Sequence, residues 1–82
     1  MTSLGYIEVI GLVAAIEAAD AGLKAANVEL AGKENPGAGM ITVVFKGEIG
    51  SIRAALDAAE AAAARISKVV STNVIARPFQ TA

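Results

Sequence analysis

Residues 33–46 read KENPGAGMITVVFK and join a loop to the strongest strand signal in the chain. Pro36 lacks a backbone donor, and two glycines permit backbone conformations that are closed to other residues, so we expect a loop from Lys33 to Gly39. Met40–Lys46 is rich in β-branched and aromatic residues and predicts a strand. A short strand is predicted just before the loop, at Val28–Ala31. Two strands around a short glycine-containing loop indicate a β-hairpin.

Upstream of the hairpin, the sequence predicts a strand followed by an amphipathic helix. The strand runs from Gly5 to Ile10 and stops at Gly11. From Leu12 the apolar residues follow a helical period that ends near Ala26. The apolar side of this helix is formed by Leu12, Ile16, Ala19 and Leu23, and the polar side by Glu17, Asp20 and Lys24. A helix of this kind is expected to bury its apolar side.

Downstream of the hairpin, the sequence predicts a second helix and a last strand. A segment over residues 47–51 leads into the helix, for which Ser51 is a suitable N-cap. The buried stripe of this helix is predicted to contain Ile52, Leu56, Ala59, Ala63 and Ile66. The last strand runs from Val69 to Ala76 and is stopped by Arg77 and Pro78.

The resulting element order is βαββαβ. It predicts an α+β fold of the ferredoxin-like, split βαβ type, with an antiparallel sheet and both helices on one face. We expect one domain over residues 1–82, because the chain has the length of a single small domain and contains no internal repeat. The other face of the sheet is then open to a partner, a ligand or water.

Composition excludes several classes of function. The chain of 82 residues has no cysteine and no histidine, which removes disulfides, thiolate metal sites and the commonest general base. The formal net charge is -1, so the chain has no excess of positive charge with which to bind nucleic acid or an anionic membrane surface. Hydrophobic residues make up 55% of the chain, yet charges interrupt both helices, so no membrane span or export signal is expected. The surplus apolar surface is expected to face other protein subunits.

No set of residues in the sequence indicates a catalytic site. Glu17 with Asp20, and Asp57 with Glu60, form carboxylate pairs on polar helix sides, where a solvated surface is the simpler interpretation. The glycine-rich turn at residues 37–39 leads into a strand rather than a helix, unlike a phosphate-binding loop. This turn is either an ordinary hairpin turn or a cluster of backbone amides that attracts polar or anionic small molecules. The sequence predicts no catalytic residue, cofactor or metal site, and hence no enzyme.

Several motifs resemble the shell proteins of bacterial microcompartments. They cover nearly the whole chain, in the order and at the spacing typical of that family: LGYIE at 4–8, GLVAAIEAADA at 11–21, KAANV at 24–28, GEIG at 47–50 and VIARP at 74–78. The most specific are EAADA and the KAAN that follows it. The resemblance implies a flat cyclic hexamer with a central pore, and hexamers that tile edge to edge into a sheet enclosing enzymes.

The resemblance also assigns roles to individual residues. The pore is implied to be lined by the loop after the second strand, which is Asn35, Pro36, Gly37, Ala38 and Gly39 in this chain. Contacts between hexamers are implied for Lys24, Asn27 and Arg77. The implied partners are further copies of the chain, other shell proteins, encapsulated enzymes and small metabolites at the pore. The implied location is the microcompartment shell in the cytoplasm.

Some residues depart from the family pattern and leave an alternative open. The pore loop lacks the serine hydroxyl that is usual in the family, and Gly22 stands in mid-helix where methionine is common. The alternative is a small ligand-binding or regulatory ferredoxin-like module that forms a dimer or tetramer. RNA binding through the open sheet face is disfavoured, because the chain has only one tyrosine, two phenylalanines and no basic excess.

Overall fold

The computed structural model describes residues 2–76 and has the predicted element order. The elements are β1 (Thr2–Ile10), α1 (Leu12–Ala25), β2 (Glu29–Gly37), β3 (Met40–Glu48), α2 (Ile49–Ala64) and β4 (Val69–Ala76). The strands form one sheet in the order β2-β3-β1-β4, and each strand is antiparallel to its neighbours. The predicted βαββαβ architecture is therefore confirmed, with β2 and β4 at the two edges of the sheet.

Both helices pack on the same face of the sheet. Along β1 every second residue is buried, and these residues are Ser3, Gly5, Ile7 and Val9. Both α1 and α2 contact β1, and the two helices also contact each other along their lengths. A Cβ atom added at Gly5 would lie 2.5 Å from Cγ2 of Ile52, so α2 crosses the sheet at a distance that only glycine allows.

A second close approach brings α1 against β3. Phe45 is fully buried, and a Cβ atom added at Gly22 would lie 2.4 Å from Cζ of its ring. The Phe45 ring therefore occupies the volume that a side chain at position 22 would need. This contact explains the mid-helix glycine in α1, which a helix otherwise tolerates at a cost of about 1 kcal/mol relative to alanine.

The prediction of a loop from Lys33 to Gly39 is wrong for most of these residues. Residues 33–37 continue β2, and only Ala38 and Gly39 form the turn between β2 and β3. Pro36 is tolerated because β2 is an edge strand, where a missing donor costs no pairing on the solvent side. The register also shifts between Glu34 and Gly37, as expected for a bulge around this proline.

The buried side of α1 differs from the prediction. The small residues Ala14, Ala15, Ala18 and Gly22 face the core, whereas the large residues of the predicted apolar stripe stay in solvent. Leu12 is 52% exposed, Ile16 55% and Leu23 42%. The reason is packing distance, because α2 and the Phe45 ring approach α1 so closely that only small residues fit between them.

Smaller differences concern the ends of elements. The predicted strand at Gly5–Ile10 begins earlier, at Thr2. The second helix begins at Ile49, so Glu48 and not Ser51 occupies the N-cap position. Its predicted stripe is buried from Ile52 to Ala63, but Ile66 lies beyond the helix and is 47% exposed.

Candidate functional site

The turn between β2 and β3 brings the five predicted pore residues together. Asn35, Pro36 and Gly37 end β2, and Ala38 and Gly39 form a two-residue turn that closes on the Gly37–Met40 pair. All five are exposed. We name these residues, 35–39, the hairpin tip.

The backbone of the hairpin tip is tightly constrained. Ala38 and Gly39 have φ angles of 56° and 78°, and Gly37 has a φ of 113°. Positive φ at both central residues is the geometry of a type I′ turn, which matches the right-handed twist of the flanking strands. Ala38 is the single non-glycine residue with positive φ within residues 2–76, and a Cβ atom makes that conformation unfavourable.

A hydrogen bond joins the hairpin tip to the start of α1. The Gly11 N–H donates to the Gly39 carbonyl oxygen at 2.9 Å. A shallow cleft lies between them, and its lining includes Leu12, Asn35 and Met40. The tip is therefore held in a fixed position relative to α1 and β1.

Two of the three residues predicted to join hexamers, Lys24 and Asn27, lie at the other end of α1. This helix has 14 residues, so Lys24 near its end lies about 18 Å along the helix axis from its start, where the hairpin tip is bonded. Asn27 follows the helix, two residues after its last turn. The structure thus separates the two predicted groups and brings Lys24 and Asn27 close in the chain. Arg77, the third residue of this group, lies outside the described residues.

Lys24 is exposed and paired within its own helix. Its Nζ lies 3.0 Å from Oδ2 of Asp20, and 76% of the Lys24 side chain is exposed. The hydrogen bond to the Asp20 carboxylate and its negative charge raise the pKa of Lys24. The side chain therefore remains a fixed positive charge at the end of α1, available to a neighbouring molecule.

The sequence interpretation missed an exposed apolar strip. It consists of three of the four large residues of α1 that the fold leaves in solvent, together with one residue of β2: Leu12, Ile16, Leu23 and Leu30. Ile16 of α1 and Leu30 of β2 border a groove of about 310 Å³ that is lined mainly by apolar atoms. Isolated exposed leucines are ordinary, but a contiguous strip beside a groove is typical of an interaction surface. The signal was present in the sequence as two adjacent stripes on α1, one of alanines and one of large residues.

The helix-free face of the sheet carries a polar cluster around Glu8. Thr42 and Ser71 donate hydrogen bonds to the two oxygens of the Glu8 carboxylate, at 3.4 and 3.5 Å. These three residues lie on adjacent strands, β3, β1 and β4. These two hydrogen bonds give the Glu8 carboxylate partners on the helix-free face of the sheet, which the sequence predicts to be open.

Other classes of site find little support in the described part of the chain. No group of three acidic side chains within residues 2–76 is placed to hold a metal ion. Neither α1 nor α2 is long and apolar enough to cross a membrane. Of the predicted carboxylate pairs, Asp20 is engaged by Lys24 on the exposed side of α1, as expected for a solvated surface.

Comparison with known proteins decides the family. A family model described as the BMC domain matches residues 3–78. The chain belongs to the BMC domain family. It is 50% identical over 76 residues to the bacterial microcompartment shell protein PduA of Salmonella typhimurium, an alignment that covers 93% of this chain and 81% of that protein. It is also 50% identical over 78 residues to the shell protein EutM of Escherichia coli K12, covering 95% of this chain and 80% of EutM.

A solved structure supports the fold as well. A microcompartment protein from Desulfitobacterium hafniense DCB superposes with a TM-score of 0.83 at 33% identity, over 92% of this chain. The chain corresponds to only 41% of the length of that solved chain. The predicted family and fold are confirmed. PduA and EutM are both named as shell proteins, so the prediction of a structural protein rather than an enzyme is confirmed too.

Proposed function

We propose that this BMC domain protein forms a cyclic hexamer whose six hairpin tips surround a central pore, and that the hexamers tile edge to edge into a microcompartment shell. The observation that carries the proposal is the placement of the two predicted groups of residues. The hairpin tip lies at the start of α1, and Lys24 and Asn27 lie at its end. A protomer of a cyclic ring needs this separation, with pore residues at the axis and lattice residues at the rim.

The pore is proposed to pass small polar metabolites. Six copies of the turn would present backbone amides of Ala38 and Gly39 around one opening. The side chain of Asn35 adds an amide that can both donate and accept. Because Ala38 has no hydroxyl, selectivity in this pore would depend on backbone amides and on diameter. The positive φ angles fix the direction of those amides.

The rim is proposed to join hexamers through Lys24, Asn27 and Arg77. Lys24 is exposed, and the Asp20 carboxylate beside it raises its pKa. Asn27 offers a side-chain amide three residues further along the chain. Arg77 offers a planar fork of donors suited to carbonyl oxygens across a symmetric contact.

The further partners and the location follow from this role. PduA and EutM are named as shell proteins of bacterial microcompartments. By analogy, the shell is proposed to contain other shell proteins beside this chain and to enclose enzymes. The protein would then reside in the shell of a microcompartment in the bacterial cytoplasm.

Electron microscopy of the purified protein tests the proposal. We expect flat six-fold rings and extended sheets of them in negative stain. Arg77→Ala should leave the rings and remove the sheets, whereas Arg53→Ala, which truncates an exposed arginine on α2, should keep both. Sheets that persist unchanged in Arg77→Ala would refute the role of Arg77. Particles with two-fold symmetry and no rings would refute the hexamer and favour the ligand-binding module.

A further inference from the structure

The junction between β1 and α1 is a single glycine in a conformation that is closed to other residues. Gly11 has a φ of 92° and a ψ of 152°. This region of backbone space is populated almost only by glycine. A Cβ atom added at Gly11 would meet nothing within 4 Å, so packing does not require a glycine here. The reason for the glycine therefore lies in the bonds of its backbone groups.

The backbone groups of this junction join three parts of the fold. The Gly11 carbonyl oxygen accepts from the Ala15 N–H at 3.2 Å, which is the first helical bond of α1. The Gly11 N–H donates to the Gly39 carbonyl oxygen of the hairpin tip at 2.9 Å. The preceding residue, Ile10, donates its N–H to the Lys68 carbonyl oxygen at 3.1 Å, just before the start of β4. Gly11 therefore links the tip to a point that α1 and the sheet both hold.

The hairpin tip has little other support. Within residues 2–76, the bond from Gly11 is the one backbone hydrogen bond that joins the tip to an element other than its own hairpin. Cβ atoms added at Gly37 or Gly39 would meet nothing within 4 Å, and the cleft between the tip and the start of α1 has a volume of about 350 Å³. Pro36 has no N–H to donate, and the register of β2 with β3 shifts just before Gly37. Packing against other elements therefore does not fix the direction of the tip, whereas the bond from Gly11 does.

We propose that Gly11 is a positioning residue of the pore, and that its N–H sets the distance of each hairpin tip from the six-fold axis. The inference rests on the proposed hexamer and adds to it a residue outside the tip that controls the opening. Every protomer of a cyclic ring places its tip in the same way, so a radial shift of the tip changes the pore diameter by twice that shift. Gly11 acts through the Gly39 carbonyl oxygen and not by contact with a metabolite.

Distances between spin labels at the hairpin tip test the proposal. The natural chain has no cysteine, so a nitroxide label attaches only to an introduced one. We would label Asn35→Cys, in the tip, and Ala61→Cys, exposed on α2, in separate proteins. Each is prepared with and without Gly11→Ala, and its rings are assembled with an excess of unlabelled protein. Double electron–electron resonance then measures the distances between labels around the ring.

Gly11→Ala should shift and broaden the distances at position 35 and leave those at position 61 unchanged, because alanine disfavours the φ of 92° and the bond to Gly39 is lost. Equal distances at position 35 with and without Gly11→Ala would overturn the proposal and leave the hexamer standing. A change at position 61 as large as that at position 35 would also overturn it, since Gly11 would then support the whole protomer. Unsubstituted protein that forms no hexamer by native mass would overturn the proposed function itself.

A backbone ester separates the hydrogen bond from the conformation, and it decides the question where Gly11→Ala does not assemble. Glycolic acid in place of Gly11, introduced by chemical synthesis, replaces only the N–H by an oxygen and keeps the freedom of glycine in φ. The same ester at Gly50 is the matched control, because this N–H lies in the first turn of α2, where N–H groups have no intrahelical partner. The ester at position 11 should broaden the label distances at position 35, and the ester at position 50 should not. Equally narrow distances in both proteins would overturn the role of the Gly11 N–H.

Passage of solutes through reconstituted shells measures the consequence for the pore. A tip released from Gly11 takes a range of radial positions, so the pore loses its sharp size limit. The smallest polyol that the unsubstituted shell excludes should enter shells of Gly11→Ala. It should stay excluded from shells of Gly50→Ala, where the added Cβ atom meets nothing within 4 Å. The same exclusion in all three shells would contradict the assignment of Gly11.

Discussion

Replacement of Gly22 by alanine tests the packing that decides which side of α1 is buried. An added Cβ atom would lie 2.4 Å from Cζ and 2.8 Å from Cε1 of Phe45, whereas ordinary contact distances are 3.4–4 Å. The ring is fully buried and must move by roughly 1 Å inside a close-packed core. Overpacking of this kind typically costs about 1–3 kcal/mol.

Helix propensity opposes this cost. Alanine is favoured over glycine inside a helix by about 1 kcal/mol. Because the overlap with Phe45 is severe, we expect an overpacking cost of about 2–3 kcal/mol. After the gain in helix propensity, the free energy of unfolding should fall by about 1–2 kcal/mol. Urea unfolding followed by circular dichroism measures it, with all variants at one protomer concentration because assembly also shifts apparent stability.

Gly50→Ala is the matched control. Gly50 lies in the first turn of α2, and nothing stands within 4 Å of the Cβ atom that alanine would add. This substitution should stabilise the chain by about 0.4–1 kcal/mol. We therefore expect Gly22→Ala to lower the free energy of unfolding and Gly50→Ala to raise it. A gain from Gly22→Ala equal to that from Gly50→Ala would refute the reasoning.

A double-mutant cycle identifies the ring as the cause. Phe45→Leu removes the distal ring atoms that meet position 22. Added to Gly22→Ala, it should cost at least about 1 kcal/mol less than the sum of the two single changes, since residues in contact couple by about 0.5–3 kcal/mol. Strictly additive effects would show that something other than Phe45 excludes a side chain at position 22.

Three further predictions concern the hairpin tip and the rim. Ala38→Asn should raise the free energy of unfolding by up to about 1 kcal/mol in urea, because asparagine tolerates the positive φ of 56°. Ala38→Val should lower the free energy of unfolding, because a β-branched side chain disfavours that φ. Equal effects of the two substitutions would contradict the type I′ turn. Lys24→Asp should keep rings and prevent sheets in negative stain, because it places like charges across the rim; sheets that persist would contradict this role of Lys24. Ala38→Trp should slow metabolite passage through reconstituted shells without disturbing assembly, and unchanged flux would count against the pore assignment.

The order of elements could be predicted from the sequence because each has a strong local signal. The β-branched run at Met40–Lys46 lies within β3, and the turn residues Ala38 and Gly39 lie where a hairpin needs positive φ. The loop prediction for residues 33–37 was wrong because Pro36 interrupts a strand only where its donor is needed, and position at the sheet edge is a property of the whole fold.

The buried side of α1 could not be predicted from periodicity. Helical spacing marks two adjacent stripes, one small and one large, and the usual rule assigns the large one to the core. In this fold the short distance from α1 to α2 and to Phe45 selects Ala14, Ala18 and Gly22 instead. The predicted roles at the hairpin tip and rim came from family resemblance, and they remain predictions about assembly.

Native mass spectrometry of the purified protein measures the central claim most directly. The chain mass is 8.2 kDa, so a hexamer should appear at roughly 49 kDa, with larger species as multiples of it. That mass is the expected result. A dimer or tetramer as the largest species would contradict the ring and support the ligand-binding module, and a monomer would contradict both.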